Sequence, residues 1–144
     1  MAYPPAQRGL ERLGVALFPV LFCMNALSLE GSFLQLGLCA VAGRLIADLL
    51  SGLVHWALDR FGSESTPFFG PVLIRPFREH HDDPRAMTRH DFVETNGASA
   101  LGGSFLLLFN SEILLFTALG VLAANQCHKW AHARSVPAIV GAAQ

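Results

Sequence analysis

Two apolar stretches stand almost back to back near the start of the chain, and they restrict the fold more than any other feature. Leu13 to Leu29 carries no charged residue and is about as short as a bilayer-spanning helix can be. Phe33 to Leu58 begins after Glu30, Gly31 and Ser32 and is also long enough to span. Arg8 and Arg12 precede the first run, as in a signal peptide. No small-x-small cleavage pattern follows, and the second run starts at once, so the first run reads as an anchor helix. Pro19 inside it is expected to kink the helix, which membrane helices tolerate. A third apolar region, Ala98 to Gln126, is interrupted by Asn110, Ser111 and Glu112. It reads either as one long tilted helix or as a hairpin of two shorter ones.

Composition supports a membrane chain. Only 15% of the 144 residues are charged, where about 25% is usual for a soluble domain. The formal net charge of −1 argues against a nucleic-acid partner. A 52% hydrophobic content argues against disorder. Cys23, Cys39 and Cys127 lie in apolar stretches without a CxxC pair, so neither a disulfide framework nor a zinc ribbon is supported. The expected fold class is all-α, an integral membrane helical bundle of one domain, residues 1–144. Its one polar block, Arg60 to Gly97, forms a His-rich loop. Arg8 and Arg12, the arginines of that block, and Lys129 and Arg134 place the loop on the cytoplasmic face by the bias of Lys and Arg. This multi-pass topology needs the third region to be a hairpin. All six histidines then sit near one membrane face, whereas a single spanning helix would strand His128 and His132 on the other.

The second apolar run contains a polar seam. On a helix, Arg44, Asp48, Gly52, His55 and Asp59 fall on one stripe. Ionisable groups at membrane depth are costly and usually face protein or a wet cavity. Gly52 and Ser51 are expected to let another backbone approach. Asp48 and Asp59 could orient the His55 ring as supporting partners. The plain alternative is an Arg44–Asp48 ion pair with His55 hydrogen-bonded nearby.

The histidines fall into clusters. His128 and His132, in NQCHKWAH, are four apart, so on a helix both rings can reach one metal ion, with Asn125 one turn earlier on the same face. This is not the HExxH protease motif, because Lys129 occupies the glutamate position. His80 and His81 are adjacent, and their directions diverge by about 100° on a helix. Pro84 is expected to end that segment. His90 follows, with Thr88 and Asp91 as a weak capping box and Glu94 one turn on. Each cluster alone reads more readily as interfacial or solvated side chains. Together, and accompanied by carboxylates, they point to a metal site, for which imidazole suits iron, zinc, copper and nickel. A His-rich site on helix ends beside apolar helices fits a non-haem di-iron centre that activates oxygen on a lipid chain. Two other classes compete. One is a bis-His haem electron carrier using, for example, His55 and His132. The other is a non-catalytic sensor or assembly subunit that keeps the fold.

The stretches DLLSGLVHWALDRFGS, IRPFREHHDDP, TRHDFVETNG and NQCHKWAH, in that order, closely resemble the lipid desaturase family that includes plasmanylethanolamine desaturases, the Kua or CarF-like family. The resemblance covers Asp48 to His132. It implies an enzyme that forms the vinyl-ether double bond of plasmalogens from plasmanyl ether lipids; a plant plastid branch desaturates a phospholipid acyl chain. It implies iron, in a pair, with O₂ as co-substrate. It also implies an electron donor, either a small b-type cytochrome or a ferredoxin with its reductase. By the same resemblance His55, His80, His81, His90, His128 and His132 are iron ligands or their neighbours, and Asp48 matches the acidic position at the head of the DxxSGxxHW segment and supports them; helix spacing adds Asp59 and Asn125 as supporting residues. The membrane would be the inner membrane in a bacterium or the endoplasmic reticulum in a eukaryote. Family members continue beyond NQxHKWxH into a further stretch with paired histidines, and this chain ends at Gln144, so it is expected to be truncated relative to them.

Overall fold

Proline suits the first turn of a helix, where its missing N–H is not needed, and helix α1 runs from Pro5 to Leu27 with Pro19 inside it. The computed structural model describes residues 5–67 and 69–133. Ser32 caps the next helix, α2 (Phe33–Arg60), by accepting from the Gln35 N–H. A π-helical turn, Gly70–Ile74, feeds directly into α3 (Arg75–Asp82), which stops before Pro84 as expected. A 3₁₀ turn, Ala86–Arg89, leads to α4 (Phe92–Leu107), and α5 (Glu112–His132) completes the described chain. No strand forms among the described residues. The third apolar region is therefore a hairpin. Its turn contains Asn110 at φ 44°, a left-handed conformation that asparagine tolerates better than most residues.

The long helices pack in the order α1, α4, α5, α2. Their directions follow from the contacts. The α1/α4 seam joins Gly14 to Gly97 and Leu101, Phe18 to Gly103, and Asn25 to the Leu107 carbonyl, so both numbers rise together and the pair is parallel. The α2/α5 seam joins Gly43 to Phe116 and Thr117 and Ala47 to Gly120, and is parallel too. Between α4 and α5 the pairs are Asn96–Gln126 and Gly103–Ala118, so those helices are antiparallel. The starts of α1 and α4 and the ends of α2 and α5 thus meet at one end of the bundle.

Outward side chains are apolar. Leu27, Phe33, Leu34, Leu38, Val41, Leu45 and Leu49 are largely exposed. Such a belt is unfavourable in water and natural against lipid. Gln7–Leu27 and Phe33–Arg60 are long and apolar enough to cross a membrane. The chain is an all-helical membrane protein, and small residues rather than large ones close its seams, because lipid supplies no hydrophobic drive between helices.

Gly43 is where α2 and α5 come closest. A Cβ there would stand 2.7 Å from the Phe116 Cβ and 2.8 Å from the Thr117 backbone nitrogen. Gly52, expected from sequence to admit a neighbour, has nothing within 4 Å of a built Cβ. The correction has a simple cause: Gly52 faces away from α5, and the crossing falls two turns earlier. Gly43→Val is expected to lower stability by about 1–3 kcal/mol from overpacking, whereas Gly52→Ala should leave it unchanged or slightly raised. Thermal melts of the two variants in detergent check this; equal tolerance at both positions would contradict the assigned seam.

Candidate functional site

Helix periodicity puts His55 and Asp59 on one face of α2, one turn before its end. The Asp59 Oδ2 lies 3.4 Å from the His55 Nε2. The third member comes from α3: the His81 Nε2 is 3.1 Å from the His55 Nε2 and 3.1 Å from the Asp59 Oδ2. The three donor atoms lie within 4.8 Å of one another. Phe77, one turn before His81, meets the His55 ring edge-on at 5.1 Å between centroids and walls the cluster on its apolar side.

What holds α3 here is Arg78. Its Nη2 donates to the Gly62 carbonyl at 3.1 Å and lies 3.4–3.5 Å from the carbonyls of Leu58, Asp59 and Phe61. Leu58 and Asp59 lie in the last turn of α2, whose carbonyls lack partners within the helix, and Phe61 and Gly62 follow it directly. Gly62 takes φ +77° to turn the chain out of α2, and a Cβ there would strike Ile74. The sequence reading missed the Arg78 clamp. Its only sequence signal is that Arg78 stands three residues before His81 on the same short helix.

Donor separations near 3.1–3.4 Å fit one metal ion. Bonds of about 2.0–2.2 Å to nitrogen and oxygen place neighbouring ligands roughly 3 Å apart. Two histidines and one carboxylate that leave other positions open form the ligand set of non-haem iron oxygenases. Asp59 therefore stands where it can itself be a ligand, rather than only a support for a ring.

The other sequence-predicted residues fall as follows. Asp48 pairs with Arg44 one turn earlier on α2, as the plain alternative anticipated. The His80 side chain lies outside the described ones, although its backbone is in α3 beside His81. His128 and His132 share one face of the last turns of α5, with ring centroids 4.9 Å apart. Asn125 does not reach a histidine; its side chain donates to the Thr95 carbonyl and ties α5 to α4. Gln126 adds a second tie, accepting from Asn96 at 2.8 Å.

His90 sits between the 3₁₀ turn and α4, and Lys129 donates to its carbonyl. The capping box beside it is Asp91 with Glu94, not Thr88 with Asp91. Asp91 accepts from the Glu94 N–H at 2.9 Å, and Glu94 accepts from the Asp91 N–H at 3.0 Å. Thr88 instead donates to the Arg85 carbonyl inside the 3₁₀ turn, which places it too early to cap. The Glu94 N–H and then the Arg8 guanidinium hold the Asp91 carboxyl below the usual carboxylate range. Arg8 of α1 spans both Asp91 and Glu94. The described histidines thus gather at the end of the bundle where α2 and α5 finish and α1 and α4 begin.

Residues 44–144 match the model of the lipid desaturase domain family. The chain is 38% identical to a plasmanylethanolamine desaturase of Myxococcus xanthus over 96% of its own length. It is 45% identical to plasmanylethanolamine desaturase 1 of Mus musculus over 64% of its length. To the chloroplastic fatty acid desaturase 4 of Arabidopsis thaliana it is 36% identical over 78%. These alignments cover 56%, 41% and 39% of the relatives, so the chain spans about half or less of their length. No solved structure matches.

Proposed function

This chain belongs to the lipid desaturase domain family, and from that premise we propose that it is a membrane-bound, iron- and O₂-dependent lipid desaturase. The reaction is formation of the vinyl-ether double bond of a plasmalogen from a plasmanyl ether lipid. The observation that carries the reading is the His55–Asp59–His81 cluster, an iron-type ligand set at the membrane end of an apolar helix. The greater identity to plasmanylethanolamine desaturases than to the fatty acid desaturase favours the ether lipid.

Desaturation removes one hydrogen from each of two adjacent carbons. With two electrons from a donor and two protons from solvent, O₂ leaves as two waters. Bound iron supplies the power to activate O₂ against an unactivated C–H bond. The protein's own part is placement of the metal and the lipid. His55, Asp59 and His81 would hold one iron. His80, His90, His128 and His132 would serve a second. Phe77 gives the first site an apolar flank, and the exposed apolar face of α2 would keep the lipid chain beside it. Asp48 pairs with Arg44 within α2 and Asn125 ties α5 to α4, so both are set apart from the metal. The haem alternative would require His55 to leave Asp59 and His81.

By the Lys and Arg bias, the histidine end faces the cytoplasm in a multi-pass arrangement. There a small cytochrome or ferredoxin can deliver electrons. The membrane is the inner membrane in a bacterium or the endoplasmic reticulum in a eukaryote. The test is to express the chain in a host without vinyl-ether lipids, supply a plasmanyl lipid, and analyse lipids by mass spectrometry. An acid-labile product lighter by two hydrogens is expected. A new acyl double bond instead would redirect the substrate assignment. Iron-loaded protein that yields neither product would refute the desaturase reading.

A further inference from the structure

We infer that Lys129 and Arg8 are positioning residues for His90, Lys129 by holding its carbonyl and Arg8 by holding the next residue, Asp91, and that together they fix where the His90 ring stands relative to His128 and His132. The inference rests on the metal-site reading above. His90 belongs to no helix; its backbone is extended, at φ −70° and ψ 148°. A loop residue can hold a metal reproducibly only if something fixes its backbone.

Lys129 is that fixture on one side. It lies on α5 between the two histidines of the HxxxH pair. Its ammonium donates to the His90 carbonyl at 2.5 Å and to the Thr95 Oγ1 at 3.2 Å. One residue therefore couples the rings of α5 to the backbone of His90. On the other side, Asp91 follows His90 directly and is locked by its capping box and by Arg8. Arg8 belongs to α1, outside the residues 44–144 that match the family domain, so the first helix becomes part of the site.

Helix packing alone does not account for Lys129. The α4/α5 seam is already tied by Asn125 to the Thr95 carbonyl and by Asn96 to Gln126. Beyond a further tie to Thr95 of α4, Lys129 adds the link to the loop. A cation beside a metal site is electrostatically costly, although the C-terminal end of α5 offsets part of that cost.

The test is Co²⁺ titration of the purified full chain in detergent, read by the d–d absorption of the bound ion, with thermal melts alongside. Lys129→Met is expected to weaken Co²⁺ binding about tenfold, the scale for losing a partner that orients a metal ligand. Lys129→Arg should recover most of it, because a guanidinium reaches the same carbonyl. Arg8→Met should act in the same direction from the α1 side, and it serves as the reading if Lys129→Met does not fold. His90→Ala should also weaken binding, and adding Lys129→Met to it should cost nothing more. Unchanged Co²⁺ binding and spectrum in Lys129→Met and Arg8→Met would overturn the inference. So would an equal effect of Lys129→Met in the His90→Ala background, which would make Lys129 a packing residue. Wild-type protein that takes up no Co²⁺ would remove the metal-site reading itself.

Discussion

Asp59→Ala is expected to empty the His55–Asp59–His81 metal site as completely as His55→Ala or His81→Ala does, and to abolish lipid desaturation with it. The three donor atoms surround one point at 3.1–3.4 Å from one another. Removing any one leaves two protein ligands, too few to retain iron through purification. The loss should exceed the roughly 10–100-fold cost of removing a partner that only orients a ligand. Asp59→Asn tests the charge alone, since it keeps the shape and gives up the anion. Asp48→Asn is the contrast, because Asp48 pairs with Arg44 away from the cluster, and its iron content should stay at the wild-type level. Elemental analysis of each variant purified in detergent reads the result. If Asp59→Ala keeps wild-type iron while His81→Ala loses it, the carboxylate merely orients the rings.

Much of this arrangement is legible in the sequence because helices obey a short period. The stripe through Arg44, Asp48, His55 and Asp59 needs only 3.6 residues per turn, and the HxxxH of α5 needs nothing more. The break at Asn110, Ser111 and Glu112 marks the hairpin for a related reason: polar turn residues interrupt an apolar run. What the sequence withholds is contact between helices. The close α2/α5 approach lies at Gly43 and not Gly52, and no intrahelical pattern tells those glycines apart. The role of Asp59 changes for the same reason, because its distance to His81 depends on α3 folding back over the end of α2. Arg78 secures that fold-back by gripping carbonyls, and carbonyls carry no sequence signature. Asn125 looks like a neighbour of His128 along the helix, yet its amide is spent on the Thr95 carbonyl of the facing helix.

His132→Ala is expected to halve the iron, from about two ions per chain to about one, while leaving the His55–Asp59–His81 ion in place. The argument is one of reach. The cluster on α2 and α3 already supplies three ligands to one point, and a first ion there does not need α5. The rings of His128 and His132 meet edge-on across one helical turn, with centroids 4.9 Å apart. The α5 pair and the α2/α3 cluster lie at the same end of the bundle, where α2 and α5 run parallel and finish together, so a second ion held by this pair would share that end with the first. Both ions are required for the proposed reaction, so His132→Ala should be inactive although half loaded, the ion it keeps being the one that Asp59→Ala loses. The readout is iron stoichiometry together with lipid analysis of the same preparation. Complete iron loss on His132→Ala would mean that the two ions assemble only together. Full iron retention would remove the α5 pair from the metal site and leave the three-residue cluster as the whole centre.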